Sequence, residues 1–300
     1  NLNDNFIWCL LEESPGIIWI GTPRGGVNVL DVNRNIFTYY RNDPAEPNSL
    51  GADNVRTMYK DREGQIWIGT YGGGLNRWDS SRKRFEKWIH RSGDSLSISN
   101  NDVLSITEDL SNRLWIGTAE GLNLFDRLSQ TFRRFTTKDG LSNATVYGIL
   151  PDVSGSLWLS TNQGIVRMTF INDEKWILRI SQIRAYDLSD GVQQLEFNSG
   201  AYMRSHNGEM YFGGVNGFNR FNPEDMHNNP YVPPVVLTSY TRQSLKVMNP
   251  GKDFIKEIIL SHKDLFIAFE FSALDFAAPD KNQYQYQLEE IGRASCRERV

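Results

Sequence analysis

Apolar and polar residues alternate with a period of two in short segments of this chain, and turns rich in Gly, Asn, Asp and Ser separate the segments. Such alternation predicts β-strands, and the segments between them lack the spacing of an amphipathic helix. Residues 64–79 are a clear example, because two strand-sized segments flank the glycines at 72–74. This stretch predicts a short strand, a glycine turn and a second short strand.

The same pattern recurs along the chain at a nearly constant spacing. Its aromatic position is occupied in turn by Trp19, Trp67, Trp115, Trp158 and Tyr211, at steps of 48, 48, 43 and 53 residues. Units of four short strands with a period of 40–50 residues are typical of β-propellers. We therefore predict an all-β fold that begins with an N-terminally truncated propeller of about five four-stranded blades. The propeller should cover residues 1–222, with blades starting near 7, 55, 103, 146 and 200.

Two residue types that recur in the repeats are expected to be structural. The repeated Trp should pack between neighbouring blades rather than line a ligand groove, because the same chemistry recurs in every repeat. An acid ends the first strand of four repeats, and its place before a turn indicates turn chemistry rather than a catalytic carboxylate pair. These acids are Glu13, Asp61, Asp109 and Asp152.

Composition narrows the function classes further. The formal charge of −4 gives no electrostatic case for binding nucleic acid or an anionic membrane. No apolar run approaches the roughly 18–20 residues that span a bilayer. The four histidines show no metal-ligand spacing and no neighbouring nucleophile; they are His90, His206, His227 and His262. We predict no catalytic residue, no metal site and no cofactor, and we expect Cys9 to be a small buried side chain on an inner strand.

The pattern changes after the fifth repeat. Residues 222–234 contain four prolines, and residues 223–233 are predicted to be a linker. Residues 234–290 predict a partial Ig-like β-sandwich. Its predicted strands are 235–240, 255–260, 265–271 and 283–288, and the third has one strongly apolar face. Residues 291–300 resemble the translation of a sequencing adapter, so we expect them to be an artefact.

Binding residues are expected on one face of the propeller. Strand alternation places the connections from second to third strand on the same face as the long connections between blades, and such loops usually carry function. Candidate side chains there for a ligand-binding surface are Arg24, Tyr71, Glu120, Asn162, Gln163 and Asn216. Tyr71 offers an aromatic face for a sugar ring, and the others offer hydrogen bonds to hydroxyls. Trp78, on a third strand, is expected in the core instead.

The repeated Leu-Trp-Ile-Gly-Thr, Gly-Leu and Phe-Asp elements resemble two-component regulator propeller repeats. Residues 197–223 resemble the last blade of such sensors, and residues 265–289 resemble the start of the tyrosine-containing Y_Y_Y sandwich domain. The resemblance implies the periplasmic sensor region of a hybrid two-component histidine kinase of Bacteroides-type bacteria. It also implies an oligosaccharide ligand, a homodimer formed through the sandwich, and membrane attachment only through missing C-terminal segments. Propellers of this family usually have seven blades.

Two other functions stay open at this point. A protein-docking propeller without a small ligand would show a face dominated by apolar and Arg side chains, whereas a sugar site would show a polar pocket with one or two aromatics. A polysaccharide lyase or hydrolase would need converging carboxylates or a His/Tyr pair on one face, and the repeated acids instead fall one to a blade.

Overall fold

The computed structural model describes residues 1–172, 178–226, 234–242, 245–248, 267–274, 285–287 and 297–299. The chain divides into two units, Asn1–Met226 and His227–Val300. Within the described residues, the first unit is a β-propeller of five antiparallel sheets, which confirms the fold class predicted from the repeat. No helix among these residues is long and apolar enough to cross a membrane.

The sheets follow one another in chain order. Blade 1 contains β1 (Cys9–Ser14), β2 (Ile17–Gly21), β3 (Val27–Asp31) and β4 (Ile36–Tyr40). Blade 2 contains β5 (Val55–Lys60), β6 (Ile66–Thr70), β7 (Leu75–Asp79) and β8 (Arg84–Trp88). Blade 3 contains β9 (Val103–Glu108), β10 (Leu114–Thr118), β11 (Gly121–Asp126) and β12 (Thr131–Phe135). Blade 4 contains β13 (Gly148–Pro151), β14 (Leu157–Thr161), β15 (Gly164–Asn172) and β16 (Leu178–Tyr186). Blade 5, as described, contains β17 (Phe197–Arg204), β18 (Met210–Gly214) and β19 (Gly217–Phe221).

The first strand of each blade lies at the propeller axis. Strands β1, β5, β9, β13 and β17 are edge strands of their sheets, and each of the first four contacts the first strand of the next blade. Because the strands alternate in direction, the connections from second to third strand and between blades share one face, which we call the loop face. The connections from first to second and from third to fourth strand lie on the opposite face, which we call the turn face.

The repeated Trp side chains pack between blades, as the repeat predicted. Trp19 packs against Val55 of the second blade, and Trp67 packs in one cluster with Val103 of the third. The four repeated Trp residues are at most 2% exposed, and Trp78 also lies in the core. Each blade therefore buries its own apolar face against the next, because a single four-stranded sheet cannot do so alone.

A glycine on the second strand allows this close packing. A Cβ on Gly69 would lie 2.6 Å from Cγ2 of Thr57 on the first strand and 2.6 Å from Cγ1 of Val103 in the next blade. Cys9 holds the position of Thr57 in blade 1, opposite Gly21. Cys9 lies on an inner strand as expected but is half-buried rather than buried. Desolvation of the thiol raises its pKa to about 12, which disfavours the reactive thiolate.

Blade 4 exchanges the two residues of this pair. Gly148 lies on the first strand and pairs with Ser160 on the second. In blades 1 to 3 the glycine of this pair lies on the second strand instead. The space that Gly148 leaves is filled from blade 5, since a Cβ there would lie 2.5 Å from Cδ1 of Tyr202. A side chain of the fifth blade thus replaces the one missing from the fourth.

The second unit contains β20 (Val235–Arg242), β21 (Leu245–Met248), β22 (Ile267–Ala273), β23 (Gln285–Gln287) and β24 (Arg297–Arg299). Strand β20 pairs with both β21 and β22, and β23 pairs with β24. The predicted strand at 255–260 lies outside the described residues. Phe269 and Phe271, on the predicted apolar face, are exposed. A complete sandwich, and its Y_Y_Y character, therefore stay predictions.

Candidate functional site

The repeated acids on the turn face hold the fold together. Each accepts a hydrogen bond from the indole Nε1 of the Trp six residues later. The pairs are Glu13–Trp19 at 2.9 Å, Asp61–Trp67 at 2.8 Å, Asp109–Trp115 at 2.8 Å and Asp152–Trp158 at 3.0 Å. In three of the four, the other carboxylate oxygen accepts backbone N–H groups of the following turn. The predicted role in turn chemistry is confirmed for Asp61, Asp109 and Asp152. In blade 1 it is Glu12, and not Glu13, that accepts a backbone N–H of the turn, from Gly16 at 3.3 Å. The bond to Trp is an addition that spacing alone did not reveal.

Buried polar residues hold the loop face in place. Oγ1 of Thr70 donates to the carbonyl of Gly74 at 3.0 Å and closes the connection between β6 and β7. Gly74 has a φ of 72°, and a Cβ there would lie 2.3 Å from the carbonyl oxygen of Trp88. Oδ1 of the buried Asn76 accepts the backbone N–H of Gly51 at 2.8 Å, which anchors the loop that leads into blade 2. The start of β5 is thereby fixed at this face.

An arginine stacked between two aromatic rings lies on the loop face. Cζ of Arg56 is 4.3 Å from the ring centroid of Trp8 and 5.2 Å from that of Tyr71. Trp8 immediately precedes β1, Arg56 is the second residue of β5, and Tyr71 directly follows β6. The two rings are still 47% and 49% exposed, so each offers a free face to solvent. We call these three residues the Trp8–Arg56–Tyr71 stack.

A second arginine on the same face is already paired. Arg24 lies 3.3 Å from Asp4 in an ion pair, and its Cζ is 5.8 Å from the ring centroid of Phe6. The hydrogen bond from Arg24 holds the pKa of the Asp4 carboxyl below its usual value. Phe6 is 67% exposed. Because Phe6 and Trp8 are two residues apart, the Arg24 pair and the stack belong to one aromatic and cationic surface.

The other predicted residues are placed on the same face but not in this cluster. Glu120 is exposed, and its backbone N–H donates to Thr118. Asn162 is half-buried, and the carbonyl of Gln163 accepts a hydrogen bond from Ser142. Asn216 donates from Nδ2 to the carbonyl of Gln193 at 3.4 Å. Within the described residues, no hydrogen bond, ion pair or ring contact joins any two of the six predicted residues.

Trp8 and Arg56 are functional candidates that sequence reasoning missed. They occupy one position of the repeat, directly before the first-strand residue that faces the packing glycine. The equivalent residues in blades 3 and 4 are Leu104 and Tyr147. The sequence did contain a signal for these residues. This position changes from aromatic to cationic to aliphatic, whereas its neighbours in the repeat stay nearly constant.

A separate cleft lies between blades 4 and 5. It has a volume of about 160 Å³, and its lining includes Trp158, Tyr186, Asn219 and Met226. Ligand pockets usually measure ~300–1,000 Å³, so this cleft is too small for a saccharide of several units. Among the described residues, no group of three or more His, Cys, Asp or Glu is arranged to hold a metal ion.

Part of the propeller matches a known protein family. Residues 1–24 and 49–72 match the family described as "Two component regulator propeller". A curated relative, Histidine kinase P4 of Formosa agariphila, is 30% identical over 122 residues. That match covers 38% of this chain and 9% of the relative.

Solved structures are similar to this chain at low identity. Virginiamycin B lyase from Staphylococcus aureus has a TM-score of 0.53 and 14% identity, over 73% of this chain and 67% of its own. An extracellular domain assigned to a hybrid two component system of B. thetaiotaomicron has a TM-score of 0.47 and 20% identity, over 97% of this chain and 51% of its own. The chain thus spans about half of that extracellular domain. The similarity to the lyase shows a common fold only.

Proposed function

We propose that this chain is the ligand-sensing part of an extracellular region of a two-component sensor, and that its ligand is an oligosaccharide. The observation that carries the proposal is the Trp8–Arg56–Tyr71 stack, which presents two half-exposed rings and a cation on the loop face. Aromatic faces combined with a few fixed polar groups are the usual lining of small-molecule sites. The match to two component regulator propeller repeats and the kinase relative support the sensor context.

In this proposal the chain lies on the periplasmic side of a membrane and performs no catalysis itself. Ligand binding would favour one arrangement of the protein over another, and the size of that shift is limited by the difference in affinity between the two arrangements. The second unit would pass the change to a kinase in the longer protein, acting as a homodimer.

Binding is testable with the full chain and a panel of plant and algal oligosaccharides. Isothermal calorimetry should detect at least one ligand, and a ligand at a hundred times its Kd should stabilise the fold by ~2.7 kcal/mol in thermal shift. Tyr71→Ala should weaken binding without unfolding the chain. Leu128→Ala, at a fully exposed residue of the turn face, is the matched control and should bind as the wild type does. A folded chain that binds no saccharide contradicts the proposal.

Protein docking is the second candidate, and one observation favours it. Phe6, Ile7 and Leu10 are all exposed beside Trp8 in a single short segment. Aromatic and Arg side chains are also enriched at protein interfaces. If the saccharide panel fails, a partner protein that loses affinity on Phe6→Ala would establish this alternative.

A further inference from the structure

Three arginines of the described propeller bury an Nε atom without a hydrogen bond, and Arg56 is the one of the three that has no ion pair. The other two are Arg84 and Arg167. Nε of Arg84 lies 3.7 Å from Oδ2 of Asp79, and Nη2 of Arg167 lies 3.5 Å from Oδ2 of Asp152. Nε of Arg56 is buried without an acceptor, and Arg56 forms no ion pair within the described part of the chain. The side chain is only half-buried, so the terminal nitrogens of this unpaired guanidinium can accept a partner from outside the chain.

The carboxylates on the neighbouring loops are already engaged. Asp4 pairs with Arg24, and Asp53 pairs with Arg41 at 2.7 Å. Asp102 accepts the backbone N–H of Gly72, next to Tyr71, at 2.8 Å. Each of these carboxylates has its own donor, and the charge of Arg56 therefore stays available for a ligand.

A second unsatisfied polar atom lies two residues from Arg56. Oδ1 of Asn54 is buried without a hydrogen-bond partner, while the carbonyl of Asn54 accepts the backbone N–H of Tyr71 at 2.8 Å. Asn54 and Arg56 thus flank Val55 at the start of β5, and each has a buried polar atom without a partner. A saccharide with hydroxyl donors and an anionic group carries the groups that an amide oxygen and a guanidinium bind.

We propose that the Trp8–Arg56–Tyr71 stack selects saccharides that carry an anionic oxygen group, either a carboxylate or a sulfate. This inference rests on the proposed function and adds the charge of its ligand. The planar guanidinium pairs with two anionic oxygens at once, and the flanking rings hold it in position before the ligand arrives. Trp8 then provides the surface on which the sugar ring packs.

The test compares each anionic saccharide with its own neutral form. Calorimetry is run on the full chain with uronate-containing oligosaccharides and their carboxyl-reduced products, and with sulfated oligosaccharides and their desulfated products. The acidic form of at least one pair should bind ~10-fold or more tightly than the neutral form, as expected for hydrogen bonds to a charged group. Which pair shows the difference identifies the anionic group.

Variants at Arg56 separate charge recognition from folding. Arg56→Gln should abolish the preference for the acidic form, and Arg56→Lys should keep part of it. Arg34→Gln removes the same charge from the turn face, where Arg34 pairs with Asp31, and should leave the preference intact. Circular dichroism confirms that each variant is folded.

The failures of the two proposals are distinguishable. Equal binding of acidic and neutral forms, or an unchanged preference in Arg56→Gln, overturns the inference about charge and leaves saccharide sensing standing. No binding of either form of any saccharide by the folded wild-type chain overturns saccharide sensing, and the inference with it.

Discussion

The indole Nε1 of Trp67 donates a 2.8 Å hydrogen bond to Oδ2 of Asp61, the residue that directly follows the first strand of the same blade. Oδ1 of the same aspartate accepts the backbone N–H of Gln65, so one carboxylate fixes both the turn and the Trp. Trp67 is fully buried against the third blade. The packing between blades therefore depends on a polar contact within one blade.

The buried Trp should contribute far more to stability than an exposed one. Trp115→Ala should lower the free energy of unfolding by ~3–5 kcal/mol, because it removes a fully buried aromatic side chain between blades 3 and 4. Trp8→Ala, at a half-exposed Trp, is the matched control and should cost less than ~1 kcal/mol. Urea titration measures both. Equal losses for the two variants would contradict the packing role.

Removing an acid should leave several donors without an acceptor. Asp109→Ala removes the acceptor of the indole N–H of Trp115 and of the backbone N–H groups of Ser111 and Arg113. The expected loss is ~1–3 kcal/mol, the cost of leaving a buried donor unsatisfied. Asp109→Asn keeps one acceptor oxygen and should lose less. If Asp109→Ala unfolds at the wild-type urea concentration, the acid has no structural role.

The sequence predicted the blades better than it predicted the site. The steps between Trp19, Trp67 and Trp115 follow directly from a scaffold that repeats, because every blade must bury the same side chain against its neighbour. Trp8 and Arg56 were missed because their stack joins two blades, and a repeat pattern carries no information about which variable positions meet. The exchange of glycine between Gly148 and Ser160 is visible only once the strand register is known.

The exchanged glycine of blade 4 should depend on Tyr202. Gly148→Ala places a methyl group against the Tyr202 ring and should destabilise the fold, whereas Ser160→Ala should cost little because the Ser160 hydroxyl has no hydrogen-bond partner. In a Tyr202→Ala background the cost of Gly148→Ala should fall by ~0.5–3 kcal/mol. A double-mutant cycle in urea measures this coupling. Additive effects would contradict the contact.

Asp126 should make stability depend on pH in the acid range. Backbone N–H groups of Ser129 and Leu128 hold the pKa of its carboxyl below the usual value. A carboxyl with a lowered pKa contributes stability above its unfolded pKa of about 3.9, and the contribution is lost as the pH falls through the folded pKa. The difference in unfolding free energy between wild type and Asp126→Asn should therefore shrink from pH 6 to pH 3. A difference that stays constant would contradict the prediction.

Hydrogen–deuterium exchange with and without a bound saccharide is the most direct test that the loop face is the binding site. We predict slower exchange in the segments that carry the stack, around residues 6–8, 54–57 and 70–74. The turn-face segments 62–65 and 110–113 should exchange at the same rate in both states. Protection confined to the turn face, with the loop face unchanged, would contradict a binding site on the loop face.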